Sequence, residues 1–539
     1  MIRSFIFILI IFTSCYSLIV KTKQGNLQGE ERKSRNGKVY HAFTKIPYAK
    51  APLGKLRLKN PVEAEPWQGT LNATENLPIC IQIPSFIPSM RNEPIGQEDC
   101  LYLNIYTPVI SSTEKLPVLV YVHGGGFRCG DVGSKHSADY FMDENVIMVN
   151  FHYRLAALGF LSTENSILPG NFGLKDQAMA LKWIQENIAS FGGDPDKITV
   201  FGESAGGIST HYLGMSPLTK DILKGVISES GAANKFWGFS PPGTARPLAE
   251  EVARKVGCGD RSDEDMLACL QEVKAVDLIK VELDFLFWDF DPVVVFKPVQ
   301  EPEAEGAFMP FDPLHKETNK PWLTGIVKNE GLIKTGSLLT QDSSVTKQFI
   351  DNIDEFLPRI LYLNDSCPKV KQTTELLKRK YFPDPITIES AQQGLGDLYG
   401  EAFFIYPMCE AVRRHKGPLY QYLFDYRGGS SLADKWGDLN LGVSHADELL
   451  LLFNWKDLFP KTKPKDEQLS KKLVQMWANF ARNQNPSPDG DPQWPEGSST
   501  HEYLHIAENF SVKKNLKHDV QEWWSSLPIY KTVNIKSEL

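Results

Sequence analysis

Residues 200–207 read Val200-Phe201-Gly202-Glu203-Ser204-Ala205-Gly206-Gly207. An apolar strand stops at Gly-Glu-Ser-Ala-Gly, and the residues that follow can continue as a helix. Small residues around Ser204 let a strand and a helix pass closely through a sharp turn. Such a turn lifts the serine hydroxyl above the sheet edge and places it at a helix N-terminus. The same residues are also compatible with an ordinary glycine-rich turn. The rest of the chain must decide between such a turn and one that exposes the serine hydroxyl.

The composition is that of a large folded protein. Of the 539 residues, 42% are hydrophobic and 23% are charged, which gives no indication of disorder. Length alone allows roughly two to four domains, but no linker, repeat or low-complexity segment divides the chain. The net charge is −8 and the basic residues are scattered, which excludes nucleic acid as an expected partner.

The N-terminus has the pattern of a targeting segment. Arg3 precedes an apolar run from Phe5 to Phe12, and small or polar residues follow up to Ser17. This pattern predicts a signal peptide over residues 1–17. The alternative is an N-terminal membrane anchor, for which the run is short. No other segment is apolar enough to span a bilayer, and the C-terminus lacks the apolar tail of a GPI signal, so no transmembrane anchor is expected.

Export makes disulfides and glycans possible. Eight cysteines are present, and Cys15 lies in the predicted signal peptide, so at least one of the others is unpaired in a monomer. Beyond the two short-loop candidates, Cys80 with Cys100 and Cys258 with Cys269, the remaining cysteines are Cys129, Cys367 and Cys409. N-glycosylation sequons begin at Asn72, Asn364 and Asn509.

The last four residues are Lys536-Ser537-Glu538-Leu539, one residue away from Lys-Asp-Glu-Leu. Behind a signal peptide, residues 536–539 are a candidate ligand for the retention receptor of the endoplasmic reticulum. The alternative is a chance Glu-Leu ending. The sequence therefore leaves two locations open, the lumen of the endoplasmic reticulum and the outside of the cell.

Apolar runs alternate with helical patterns along the chain. Strands are expected at residues 117–122, 146–151, 198–201, 225–228, 322–327 and 419–424, and helices at 175–190 and around 469–480. This alternation predicts an α/β fold with a mostly parallel sheet. Ligands of such sheets bind beyond the carboxyl ends of the strands, where both Ser204 and the run Gly124–Gly126 lie.

A serine hydroxyl becomes a nucleophile when a base takes its proton, and the base needs a carboxylate to orient it. In α/β-hydrolases the chain order is Ser, then Asp or Glu, then His. His445 lies in a loop of small residues before an apolar run, and Glu330 follows a predicted strand and precedes a glycine. Spacing alone leaves the other downstream histidines, and a surface role for Glu330, open.

A developing oxyanion needs backbone N–H donors. Gly124, Gly125 and Gly126 follow a buried strand and can present bare amides, and Ala205 supplies another from the residue after the serine. The alternative, a phosphate-binding loop, lacks the expected Gly-Lys-Ser/Thr. This chemistry requires no metal and no organic cofactor.

Together these residues resemble the type-B carboxylesterase and cholinesterase family of α/β-hydrolases, over nearly the whole mature chain. The matching segments are the nucleophile signature at 201–207, a second signature at 98–104, the oxyanion loop at 123–127, Arg154 in Tyr153-Arg154-Leu155, and Asp176-Gln177.

The resemblance implies one α/β-hydrolase domain over residues 18–535, with a central, mostly parallel mixed sheet flanked by helices. It implies a serine carboxylesterase that hydrolyses small-molecule esters with broad specificity through an acyl-enzyme. The residues it implies are a triad of Ser204, Glu330 and His445, an oxyanion hole of Gly125, Gly126 and Ala205, and disulfides Cys80–Cys100 and Cys258–Cys269.

Departures from the family pattern favour carboxylesterases over cholinesterases. No Trp lies between Cys80 and Cys100, where cholinesterases carry the ring that binds choline. In the acyl-pocket stretch, Pro292 and Val294 are expected to leave room for larger acyl groups. Glu203 stands where juvenile hormone esterases usually have Gln.

Two further departures concern the leftover cysteines. Cys409 has no evident late disulfide partner, and Cys129 is expected as a thiol near the pocket.

Two other functions stay open. Some relatives keep the fold as non-catalytic adhesion modules, but they lose the triad, which is complete here. A dedicated hydrolase for a lipid, hormone or pheromone ester is compatible with all the motifs.

Overall fold

A computed structural model describes residues 18–530, apart from residues 85, 87–89, 111–113, 134–135, 235, 364–368, 438–439, 489 and 491–492. The predicted signal peptide, with Cys15, and the tail 536–539 lie outside the described residues, as do Asn364 and Cys367.

Fourteen strands in the described residues form two sheets. They are β1 (Ile19–Lys21), β2 (Asn26–Gln28), β3 (Glu30–Lys33), β4 (Val39–Pro47), β5 (Thr70–Asn72), β6 (Tyr102–Thr107), β7 (Leu116–Val122), β8 (Ile147–Phe151), β9 (Gly193–Glu203), β10 (Leu223–Glu229), β11 (Trp322–Val327), β12 (Leu419–Phe424), β13 (Glu502–Ile506) and β14 (Phe510–Lys514).

The larger sheet has eleven strands, in the order β14-β13-β12-β11-β10-β9-β7-β8-β6-β4-β3. The seven strands from β13 to β8 run parallel, and β14, β6, β4 and β3 join them in antiparallel pairs. β3 and β14 are the two edges. Strands β1, β2 and β5 form the small second sheet. The predicted mostly parallel mixed sheet is confirmed.

The helices surround this sheet. They are α1 (Ala156–Phe160), α2 (Phe172–Asn187), α3 (Ala205–Met215), α4 (Ala245–Lys255), α5 (Asp263–Leu270), α6 (Ala275–Lys280), α7 (Leu332–Leu339), α8 (Ser343–Asp351), α9 (Ile353–Ile360), α10 (Val370–Tyr381), α11 (Ile388–Tyr399), α12 (Tyr406–Arg414), α13 (Leu449–Leu452), α14 (Pro464–Asn483) and α15 (His518–Ser525).

The sheet separates two hydrophobic cores. In β7, Val118 and Val120 belong to one buried cluster, whereas Leu119 and Tyr121 belong to the other. This division follows from the pleat, because successive side chains of a strand point to opposite faces. Helices α2 and α3 contribute to the first cluster and α14 to the second, which gives three layers. Strands buried on both faces explain the continuous apolar runs in the sequence.

The strands predicted at 322–327 and 419–424 are confirmed at the same residues, and the late helix extends over α14. Strand β9 starts five residues before the predicted one, at Gly193, and pairs with Leu116 there. The sequence Asp194-Pro195-Asp196 is polar and has no strand pattern, so this extension depends on the neighbouring strand.

Two disulfides lie in the described residues, Cys80–Cys100 and Cys258–Cys269, as the resemblance implies. Cys409 is a buried thiol whose sulfur lies 3.8 Å from the carbonyl oxygen of Leu516. No helix in the described part of the chain is long and apolar enough to cross a membrane. Asn72 and Asn509, which begin two of the sequons, are exposed.

Candidate active site

Ser204 occupies a strained turn between β9 and α3. Its φ of 59° and ψ of −122° lie outside the regions that L-residues usually adopt. The turn depends on close backbone contact, because a Cβ on Gly206 would lie 2.0 Å from the carbonyl oxygen of Val122. Strain of this kind is typical of functional positions. The side chain therefore stands clear of the sheet, at the carboxyl end of β9.

Glu330 and His445 meet beyond the ends of neighbouring strands. Glu330 follows β11 by three residues, and its Oε2 lies 2.7 Å from Nδ1 of His445. Its Oε1 accepts hydrogen bonds from the Ser230 hydroxyl, at 2.6 Å, and from the Val327 backbone N–H, at 2.9 Å. These bonds fix the carboxylate, which in turn fixes the imidazole ring.

The other nitrogen of His445 faces a second carboxylate. Nε2 lies 2.8 Å from Oε1 of Glu203, the residue just before the serine. The Ser204 hydroxyl makes no hydrogen bond to any described residue. The imidazole therefore lies between two carboxylates.

This arrangement makes His445 strongly basic. Burial alone would lower its pKa, but the negative charges of Glu203 and Glu330 outweigh burial and raise the pKa to about 10.

Three backbone amides close to Ser204 in the fold or the sequence have no acceptor among the described residues. No described residue accepts a hydrogen bond from the N–H groups of Gly125, Gly126 or Ala205. Gly125 has a φ of 107°, and a Cβ there would lie 2.0 Å from the carbonyl oxygen of Cys129, so only glycine fits. Gly124 packs against Ser204, since a Cβ on it would lie 3.0 Å from the serine Cβ. The glycine loop therefore lies against Ser204.

A cavity of about 440 Å³ opens in front of these groups. That size is typical of small-molecule sites. Ser204, His445, Glu203 and the glycine loop form its polar part. Its apolar wall includes Phe86, Trp237, Phe290, Val293, Phe403 and Phe404.

The expectation that Pro292 and Val294 shape the acyl side is wrong. Phe290 and Val293 line the cavity, whereas Val294 is fully buried and its backbone N–H bonds the hydroxyl of Tyr362. The direction of each side chain in this loop depends on tertiary hydrogen bonds. The ring of Phe290 therefore lines the cavity in the loop that is expected to leave room for larger acyl groups.

Two more buried glutamates, which the sequence analysis does not single out, lie behind the site. Glu229 ends β10 and accepts a 2.5 Å hydrogen bond from the indole of Trp477. Burial, with the charge of Glu203, raises the pKa of Glu229 to about 8. Glu448 accepts from Tyr422, and burial, with the charge of Glu229, raises its pKa well above the usual range. An acid inside the apolar run of β10 is the one signal that could have identified Glu229.

The matched residues Arg154 and Asp176, and two of the other downstream histidines, lie outside the cavity wall. Arg154 and Asp176 form a buried pair at 2.6 Å that joins the segment before α1 to α2. His211 stacks on Trp322, with ring centroids 4.6 Å apart. His415 is a hydrogen-bond partner of Thr318. The contacts of these side chains therefore contribute to the fold and not to the cavity wall.

The comparisons with known proteins agree with this geometry. The profile of the carboxylesterase family matches residues 16–524. The chain is 36% identical to a protein of Tribolium castaneum named juvenile hormone esterase, over 92% of this chain and 90% of the relative. It is 34% identical to venom carboxylesterase-6 of Apis mellifera, covering 94% of each chain, and 34% identical to carboxylesterase 1E of Mus musculus, covering 90% and 89%.

The fold and the matches define a class, the carboxylic ester hydrolases with an α/β sheet. The chain belongs to the carboxylesterase family.

Proposed function

We propose that the chain hydrolyses carboxylic esters through an acyl-enzyme formed on Ser204, with broad specificity for the acid and the alcohol. One observation supports this most directly. A strained serine, an imidazole held by a buried carboxylate and a glycine loop with unused backbone amides border a single apolar cavity.

The proposed reaction has two halves. Neutral His445 takes the proton from Ser204 as its oxygen attacks the ester carbonyl, and the N–H groups of Gly125, Gly126 and Ala205 bind the oxyanion. The imidazolium then protonates the alkoxide, which leaves as the alcohol. Water enters, gives a proton to His445 and attacks the acyl carbon, and the acid departs as Ser204 regains its proton. Glu330 orients the ring throughout and stabilises its charged form.

Glu203 has a distinct place in this proposal. Its contact with Nε2 competes with the Ser204 hydroxyl for that nitrogen, so the contact has to lengthen before Ser204 can donate its proton there. The carboxylate stays close enough to stabilise the imidazolium that forms in each half-reaction. It therefore raises the proton affinity of the base.

The decisive test is hydrolysis of p-nitrophenyl esters by the full chain and by Ser204→Ala and His445→Ala. Both variants should lose at least about 10³-fold in kcat, because triad members act as a unit. Ser204→Ala should keep the thermal midpoint of the parent within a few degrees, whereas His445→Ala should be less stable because Glu203 and Glu330 lose their partner.

Ser209→Ala, in the same helix, is a matched control for removing a buried hydroxyl, because its hydroxyl bonds Gln177 and lies outside the proposed triad. It should keep its activity. Full activity in well-folded Ser204→Ala protein would refute the proposal, and strict preference for a single ester would favour a dedicated hydrolase over a broad one.

We also propose that the protein enters the secretory pathway and is retained in the endoplasmic reticulum through residues 536–539. The disulfides Cys80–Cys100 and Cys258–Cys269 support an oxidising compartment. The exposed Asn72 and Asn509 are proposed as glycan sites there, together with Asn364.

A further inference from the structure

A buried lysine outside the proposed triad lies behind the cavity. Lys334 belongs to α7, and its Nζ is 2.7 Å from Oδ2 of Asp289 and 2.7 Å from Oδ2 of Asp291. All three side chains are completely buried. A buried ion is costly unless it is paired and hydrogen-bonded, so these contacts fix the positions of the groups that make them. The proposed ester chemistry uses none of the three.

The charges of this cluster balance. Arg91 adds a second cation, with Nη1 2.6 Å from Oδ1 of Asp289. The Tyr399 hydroxyl donates to Oδ2 of Asp291 at 2.6 Å. The ammonium of Lys334 also lies 4.2 Å from the ring centroid of Phe290, the residue between the two aspartates. One lysine therefore contacts three successive side chains of the same loop.

That loop, residues 289–294, forms one wall of the cavity through Phe290 and Val293. On its other side, Arg128 donates to the carbonyl oxygens of Phe290, at 3.2 Å, and Val293, at 3.0 Å. Arg128 lies two residues after Gly126, so its bonds fix the cavity wall relative to the proposed oxyanion donors. Lys334 follows Glu330 by four residues and fixes the same wall relative to α7.

We propose that Lys334 is a positioning residue that sets the acyl-length preference of the enzyme by holding Phe290 and Val293 in place. Without its charge, Asp289 and Asp291 would repel each other, and the loop would relax. A relaxed wall discriminates poorly between acyl groups, because discrimination by one methylene depends on close fit. The proposal rests on the esterase function proposed above and adds the feature that selects the acid part of the substrate.

The test compares kcat/KM for p-nitrophenyl esters from acetate to octanoate in the parent enzyme and in Lys334→Met. The leaving group is constant in this series, so the acyl group alone changes. The ratio between the best and the poorest ester should shrink by at least about fivefold. A parallel series of acetates of different alcohols should keep its order. Lys334→Arg, which retains the charge, should restore part of the acyl preference.

Lys175→Met is a matched control. Lys175 is another buried lysine, paired with Glu301 at 2.6 Å, and it does not line the cavity. Its variant should lose stability without any change in the acyl profile. If Lys334→Met has the parent's acyl profile and loses only stability, the proposal is wrong.

A milder variant tests the same proposal if Lys334→Met does not fold. Tyr399→Phe removes the hydroxyl that bonds Asp291 and keeps the ring that lines the cavity. It should shrink the ratio between the best and the poorest ester by about twofold, and an unchanged ratio would overturn the proposal. Failure of the proposed function would look different, because the parent enzyme would then hydrolyse none of these esters in a Ser204-dependent way.

Discussion

Replacing Glu203 by Gln should change the pH dependence of the enzyme more than any other single substitution near the cavity. The change removes a negative charge 2.8 Å from Nε2 of His445 and keeps the size of the side chain. His445 must be neutral to accept the serine proton, so kcat/KM of the parent should rise with pH through the pKa of this ring, which is raised to about 10. Loss of the Glu203 charge should move that rise to lower pH.

The size of the shift follows from the distance. Two unit charges 2.8 Å apart attract by about 1.5 kcal/mol at the dielectric constant of water and by about 6 kcal/mol at an effective value of about 20. Since one pKa unit corresponds to about 1.4 kcal/mol, the pKa of His445 should fall by about one to four units. The limiting rate on the alkaline plateau should fall as well, because Glu203 no longer stabilises the imidazolium of the transition state.

The measurement is kcat/KM for an alkyl ester by pH-stat between pH 5 and about pH 10.5, with Ser204→Ala protein as the blank. This parameter reports the ionisation of the free enzyme. Glu301→Gln, which removes a buried carboxylate paired with Lys175, controls for loss of charge elsewhere. An acid limb that stays within a few tenths of a pH unit in Glu203→Gln, or moves to higher pH, would refute the assignment of Glu203 as the source of the raised pKa.

Two more predictions concern stability and location. The pKa of Glu229 is raised from 4.5 to about 8, so the folded protein keeps a proton here that the unfolded chain loses, and stability should decline between about pH 4.5 and pH 8. The fall in thermal midpoint over this pH range should be smaller in Glu229→Gln than in the parent. Equal falls would contradict the argument that burial raises this pKa. Deleting residues 536–539 should increase secretion of active enzyme from cells, measured as esterase activity in the medium against the full-length chain at the same expression. Unchanged secretion would contradict retention.

Much of the fold follows from the sequence because the parallel strands are buried on both faces. The apolar runs at 322–327 and 419–424 are short, continuous and bounded by polar residues, and the structure has strands over the same ranges. The elbow at Ser204 could also be predicted, since the glycines that make it possible are local to the turn. Order along the chain then pointed to Glu330 and His445, which the structure places 2.7 Å apart.

Features that depend on distant pairing could not be predicted. Lys334 meets aspartates 43 and 45 residues earlier in the chain, and nothing in the local sequence distinguishes these acids from surface ones. The side-chain directions in the loop at residues 289–294 also depend on distant residues. Arg128 donates hydrogen bonds to two carbonyl groups of this loop, and these bonds select which of its side chains face the cavity. The sequence identifies Glu203 as a departure from the Gln that is usual in juvenile hormone esterases. Its contact with Nε2 of His445 could not be predicted, because that contact depends on the orientation of the imidazole ring.

The two edges of the large sheet bear on how the protein behaves at high concentration. Strand edges offer unpaired backbone groups to other chains, and charged side chains discourage such pairing. β3 consists of Glu30, Glu31, Arg32 and Lys33, and β14 ends in Lys513 and Lys514. A second molecule that aligned with either edge would have to bring these charges together and strip water from them. Both edges therefore protect against aggregation in a crowded compartment, although the nine strands between them are among the most apolar parts of the chain.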